Sequence, residues 1–229
     1  MTTPNPPARR VVLLAGPSGS GKGEVTRRSG LPALALDDFY REGDDPALPR
    51  RFGIADWDDP ASWDAQAALT ALETLCRRGR VTVPTYSISL SARTGQTRLD
   101  IGDAPLVIAE GIFAAELIRP LAAAGLLADG IVLDRPGPLV FAMRLVRDLR
   151  QSRKPVPVLL RRGWGLLGDQ RADMRAWVSA GLRPLGLHRA ERELRRLALI
   201  AAADGRARQL TAPASHQGQV GSIGHSRRG

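Results

Sequence analysis

The sequence predicts an α/β fold, a mainly parallel sheet flanked by helices, and three observations carry that prediction. The run Val11 to Ala15 is apolar throughout and breaks directly into the glycine-rich stretch GPSGSGKG. Further short apolar runs recur at Ala33 to Leu36, Leu106 to Ala109 and Gly130 to Leu133, the first two delivering carboxylates at their ends. Segments of helical periodicity lie between them, as where Ala65, Ala68, Leu69, Leu72 and Leu75 share one face.

Val11 to Ala15 leads with β-branched residues, which suits a parallel strand buried on both faces. A turn must follow. Gly16, Gly19 and Gly21 allow close approaches that a side chain would block, so the amides running from Gly16 through Ser18, Gly19, Ser20, Gly21, Lys22 and Gly23 to Glu24 can surround phosphate oxygens. The helix expected from about Gly21 adds its positive end to that cradle, and Lys22 a mobile charge for the β and γ phosphates. The pattern G-x-x-x-x-G-K-[ST] is met at Gly16, Gly21 and Lys22 and fails at Gly23, where a hydroxyl would ligate magnesium. The bland alternative is a glycine-rich βα turn with no ligand. Of 33 basic residues only Lys22 and Lys154 are lysines, so a chain that strongly favours arginine keeps lysine at the loop.

At 229 residues the chain has room for one sizeable α/β domain with an appendage. We place that domain at 1–203, with a polar, disordered tail at 204–229. No apolar run reaches membrane-spanning length and the first residues have no apolar signal core, so a soluble cytoplasmic protein without membrane partners is expected. Cys76 is single and cannot form an internal disulfide. The net charge of +10 fits phosphorylated small molecules or a high-arginine background better than nucleic acid, because the arginines are scattered and aromatic residues are few. The three histidines all come late, at His188, His216 and His225, so an acid or base earlier in the chain is an Asp or Glu.

In order, the first helix is stopped by Gly30 and Pro32, and Ala33 to Leu36 is the second strand, delivering Asp37, Asp38, Phe39 and Tyr40 at the sheet edge where ligands bind in open α/β sheets. Locally, Asp37 and Asp38 also read as a helix cap or solvated turn. Residues 41–61 form a long loop holding Trp57 in ADWDDP, and such loops are often functional. Ser62 is the expected cap of a helix running to about Arg78, Val81 to Val83 a short strand, and Tyr86 either packs or contacts a ring. Glu110, at the tip of the strand Leu106 to Ala109, is placed to reach magnesium directly or through water; the alternative is a helix cap. Ile112 to Ala124 reads as helix. From Arg135 an arginine-rich helical stretch begins, either a solvated amphipathic face or a lid whose arginines close over phosphoryl groups near 147–163.

Taken together, GPSGSGKG, LDDFYREGDDP, DWDDPASWD, VPTYSISLSARTG, IAEGIFAAE and LVRDLRQSRKP resemble the uridine kinase family of P-loop phosphotransferases over about Arg9 to Leu182. The resemblance implies magnesium-dependent transfer of the γ-phosphate of ATP or GTP to a nucleoside 5′-hydroxyl, or to another small alcohol. It implies Asp37 as general base, Tyr40, Asp58 and Tyr86 as substrate contacts, Glu110 near magnesium, and Arg147 and Arg153 as lid arginines on the triphosphate, with Lys154 beside them. A homo-oligomer is left open. Gly23 departs from the family pattern at a magnesium ligand, and Ser87 and Ser91 at positions that bear on the pyrimidine. Gly23 also suggests a nucleotide-binding protein without phosphotransfer.

Overall fold

The structure is a computed structural model that describes residues 9–51, 54–140, 142–143 and 171–211, with side chains to 207. Five strands, β1 (Arg10–Ala15), β2 (Ala33–Ala35), β7 (Leu106–Glu110), β8 (Leu127–Leu133) and β9 (Arg183–Leu185), form a wholly parallel sheet in the order β2-β7-β1-β8-β9. Because side chains alternate along a strand, Val11, Leu13 and Ala15 enter one core and Val12 and Leu14 the other. The first core packs against α2 (Ala65–Arg78) and Leu117 and Leu121, and the second against Val25 of α1 (Lys22–Ser29) and Ala190, Leu194 and Ala201 of α5 (Leu187–Thr211). Residues Val11 to Ala15 are fully buried, which is why their run carries no polar alternation.

Local chemistry sets the ends of the elements. Gly30 closes α1 at φ 70°, and Gly79 closes α2 at φ 72° with its N–H on Leu75 O at 2.8 Å. The cap of α2 is Asp64 and not Ser62: the Asp64 carboxylate accepts from Ala67 N at 2.9 Å, while Ser62 is buried in a 3-10 turn, Pro60–Ser62. Two candidate caps stand two residues apart, and Asp59 consumes the first turn by capping that 3-10 segment. The expected helix from Ile112 is divided into a 3-10 turn, Ala114–Leu117, and α3 (Ile118–Ala123). Helix then returns at 137–140 and 142–143, and as α4 at 171–179.

A larger departure lies between α2 and β7. The short strand expected at Val81 is the start of β5 (Arg80–Ser87), which pairs antiparallel with β6 (Ala92–Asp100) in a hairpin of its own. A smaller hairpin, β3 (Arg50–Arg51) with β4 (Ile54–Ala55), lies in the loop before α2. At the other end, helix α5 continues through 204 to Thr211, past the expected start of the tail; residues 212–229 lie outside the described residues. Leu194, Leu197 and Ala201 hold this helix on the sheet, so the polarity after Asp204 only ends its buried stripe.

Candidate active site

β1 is the central strand, with β7 on one side and β8 on the other, and the glycine-rich loop leaves its C-terminal end. The loop needs its glycines: Gly19 sits at φ 84° and Gly21, the residue before α1, at φ 95°. A Cβ on Gly16 would lie 2.9 Å from Ser20 Oγ and 3.3 Å from Leu133 Cβ, so the loop can lie tight on β8 only without one. Ser20 is fully buried beneath it, and among the described residues its Oγ has no hydrogen-bond partner. Lys22 folds across the loop, donating from Nζ to Gly16 O at 2.8 Å and Pro17 O at 3.3 Å. Glu24 turns the other way, onto Arg27 and Arg28 of its own helix, and these arginines hold its carboxyl below the usual value.

Register brings the carboxylates to the loop. Leu14 of β1 stands opposite Glu110 of β7, which stands opposite Ala35 of β2, so a single row crosses three strands and ends two residues before Asp37. Among the described residues outside its own helix, a Cβ on Gly23 would meet only Glu110 Oε1, at 3.8 Å, and one on Gly111 would lie 3.4 Å from Asp37 Oδ1. Glu110, Asp37, Lys22 and the space above Gly23 therefore form one cluster. Burial raises the Glu110 carboxyl above its ordinary value; the Lys22 charge opposes this and the Asp37 charge adds to it. Oxygen donors alone, few in number and open to solvent at Gly23, suit a magnesium ion that keeps several waters. Among the described residues no group of three or more His, Cys, Asp or Glu converges as a protein-only metal cage.

Beyond Asp37 the chain makes a 3-10 turn, Leu36–Phe39, pinned by Trp63, whose Nε1 donates to Leu36 O at 2.7 Å. Tyr40 is 8% exposed, and its ring contacts Trp57, Tyr86 and Phe113 at centroid distances of 5.6, 5.8 and 5.9 Å. Its hydroxyl donates to Trp57 O at 3.3 Å. Burial raises the Tyr40 phenol well above its ordinary value, with the charges of Asp37 and Asp58 adding to the effect, so both carboxylates lie within electrostatic reach of this ring. Asp58 itself is exposed at the rim. Tyr86 donates to Arg41 O at 2.9 Å, and burial pushes its phenol up to about 12.

Asp37, Tyr40, Asp58 and Tyr86, read from separate stretches of sequence, thus meet around one aromatic group. Ser91 has a different place: it is a turn residue at φ 51° whose carbonyl accepts from Gly43 N at 2.7 Å. Arg147, Arg153 and Lys154 lie outside the described residues.

Two residues near the cluster were named from the sequence without the place the structure gives them. Asp38 Oδ1 accepts from Tyr86 N at 3.0 Å and ties the hairpin to the turn carrying Asp37; burial raises its carboxyl, and the Tyr86 amide opposes the rise. Only its place beside Asp37 signalled it. Arg135, first residue but one after β8, brings Nη1 to 3.7 Å from the Cβ position of Gly21. Its signal was a basic residue at the end of a buried strand.

No family model matches the chain. Among curated proteins it is 32% identical over 166 residues to a uridine kinase of Schizosaccharomyces pombe, covering 67% of this chain and 35% of that protein. It is 29% identical over 159 residues to a uridine kinase of Deinococcus deserti, covering 65% and 73%. It is also 36% identical over 114 residues to the inorganic pyrophosphatase TTM2 of Arabidopsis thaliana, covering 48% and 16%. The chain therefore spans about a sixth of that plant protein and about a third of the fission-yeast kinase. Among solved structures, a proposed fructose transport system kinase from Silicibacter sp. TM1040 superposes with a TM-score of 0.57 at 22% identity, covering 80% of this chain and 90% of that one. The chain is thus similar to uridine kinases over about two thirds of its length, and its fold is that of an α/β P-loop protein.

Proposed function

We propose that this uridine kinase-like chain transfers the γ-phosphoryl group of ATP to the 5′-hydroxyl of a nucleoside, with uridine and cytidine the first acceptors to test. The observation that carries the reading is the cluster at the end of β1, where a lysine-bearing phosphate loop, Glu110 and Asp37 converge beside an aromatic group.

In this reading the amides of the loop and Lys22 hold the triphosphate and take up the charge that develops on the transferring group. Asp37 orients the acceptor hydroxyl and accepts its proton as that oxygen bonds to phosphorus and the bond to the ADP oxygen breaks. Trp57, Tyr86 and the buried Tyr40 provide apolar surface for a base, and Asp58 at the rim supplies an acceptor for ribose hydroxyls. Glu110, with water in the place of the missing Gly23 hydroxyl, would hold magnesium, which when bound neutralises phosphate charge. Arg147 and Arg153 serve as the lid arginines of the same reaction. Nothing among the described residues favours GTP over ATP.

Gly23 favours one other reading, a nucleotide-binding protein that does not transfer phosphate. The experiment is product formation from ATP, with GTP as a second arm, across a panel of nucleosides and other small alcohols, for the natural chain and for Asp37→Asn. Turnover that drops at least a hundredfold in Asp37→Asn, with nucleotide affinity kept, supports the proposal. Equal turnover in the two proteins removes the role of Asp37, and nucleotide binding with no product from any acceptor establishes the second reading.

A further inference from the structure

Several helical arginines are neutralised by carboxylates one turn away, as with Arg77 on Glu73, Arg195 on Glu191 and Arg196 on Glu193. A cavity of about 590 Å³ between the end of α2 and the β5–β6 hairpin breaks this pattern. Thr74, Arg78, Arg80, Val81, Thr82 and Arg98 line it, with no carboxylate among them. Among the described residues, Arg78 and Arg80 make no ion pair or hydrogen bond, and neither do the hydroxyls of Thr74 and Thr82. Asp100, opposite Arg80 in the hairpin, approaches Arg98 at 3.5 Å, but both side chains are more than half exposed, so this pair neutralises little.

The placement follows from the periodicities of the two elements. Thr74 and Arg78 are four apart on one helix face, Arg80 and Thr82 two apart on one strand face, and Arg98 directly opposite Thr82. The negative end of the α2 dipole accounts for basic residues in its last turn. It does not account for Arg80 and Arg98 entering from the hairpin.

We propose that this cavity is a second anion site, separate from the loop after β1, that binds a small oligophosphate. Three guanidinium groups with two hydroxyls supply the planar donors that phosphate oxygens accept from. The volume lies within the range of small-ligand pockets. The basic residues also close on a concavity and do not run as a stripe, which selects a compact anion over a nucleic-acid strand.

The test titrates sodium tripolyphosphate, without magnesium, into the natural chain, Lys22→Ala, Arg78→Gln/Arg98→Gln and the triple variant, with calorimetric readout and thermal melts to confirm folding. Exposed arginines at 78 and 98 leave the core untouched, so the double variant is expected to fold. Two binding events in the natural chain, one surviving in Lys22→Ala and weakened at least tenfold by the arginine substitutions, establish the site. A repeat with ATP on Lys22→Ala separates free oligophosphate from a nucleotide: tighter binding than tripolyphosphate assigns the site to a nucleotide. Absence of tripolyphosphate binding to Lys22→Ala, unchanged binding in the arginine variant, or tighter binding of a short oligonucleotide of equal charge would each overturn the proposal.

Discussion

Replacing Gly23 by serine restores the hydroxyl that the phosphate-loop pattern lacks, and the structure fixes what that change can do. Among the described residues outside its own helix, a Cβ at this position comes near Glu110 Oε1 alone, at 3.8 Å, an ordinary contact. Gly23 is the second residue of α1, so serine removes backbone freedom from the unfolded chain and gains about 0.5 kcal/mol of helix propensity. That raises the melting temperature by about 1–2 °C for a chain of this size. The hydroxyl, one bond beyond Cβ, can close to hydrogen-bonding distance of Glu110 and favour its ionised form, against the burial that raises its pKa. Holding one oxygen in place where a water must otherwise be immobilised is worth up to about 2 kcal/mol. The magnesium concentration giving half-maximal rate should therefore fall roughly three- to thirtyfold. The assay is ADP release with uridine or cytidine as magnesium is varied, beside a thermal melt of each protein. A lower melting temperature would refute the packing argument. Turnover in Gly23→Ser with none in the natural chain would refute the claim that water replaces the hydroxyl.

Other substitutions test the frame around the site. Trp63→Phe leaves the buried carbonyl of Leu36 without its donor and should cost about 2–3 kcal/mol, lowering the melting temperature by roughly 4–12 °C and reducing turnover, since Leu36 precedes Asp37. Asp64→Ala should cost about 1 kcal/mol in urea denaturation through the lost cap of α2. Arg196 and Arg183 hold the Glu193 carboxyl down at about 2, so Glu193 contributes stability above its unfolded value of 4.5 that disappears as pH falls towards 2. With both arginine partners about half exposed, Glu193→Gln should cost about 1 kcal/mol at pH 7, the gap to the natural chain closing between pH 4.5 and 2.

The phosphate loop, β1 and β7 were legible because each strand is buried on both faces, which leaves an unbroken apolar run with a chemically distinct end; the turn carrying Asp37 was legible from its short apolar run broken by two carboxylates, although only Leu34 of β2 is buried. The β5–β6 hairpin was not. Most of β6 is exposed, so its residues carry no alternation of apolar and polar, and Pro84 within β5 argues against a strand although it sits in one of only two strands. β9 is three residues, Arg183–Leu185, including a proline, too short for any period to emerge. The residues of the cluster were named from separate stretches, but their meeting depends on the pairing of Leu14 with Glu110 and Glu110 with Ala35, which no local pattern encodes.

That row of paired residues also divides the molecule by cooperativity. The loop and Glu110 hang from β1 and β7, neighbouring strands inside the sheet, while Asp37 follows β2, the short strand at its edge, so the first two share the most cooperative part of the domain. The hairpin is a two-stranded sheet of its own, tied to the Asp37 turn by the Asp38 to Tyr86 bond and to the following loop by Tyr86 to Arg41 and Gly43 to Ser91. With most of β6 exposed, the hairpin is expected to open before the central strands as denaturant rises, loosening the acceptor wall ahead of the phosphate-gripping edge; earlier hydrogen exchange in β6 than in β1 would check this.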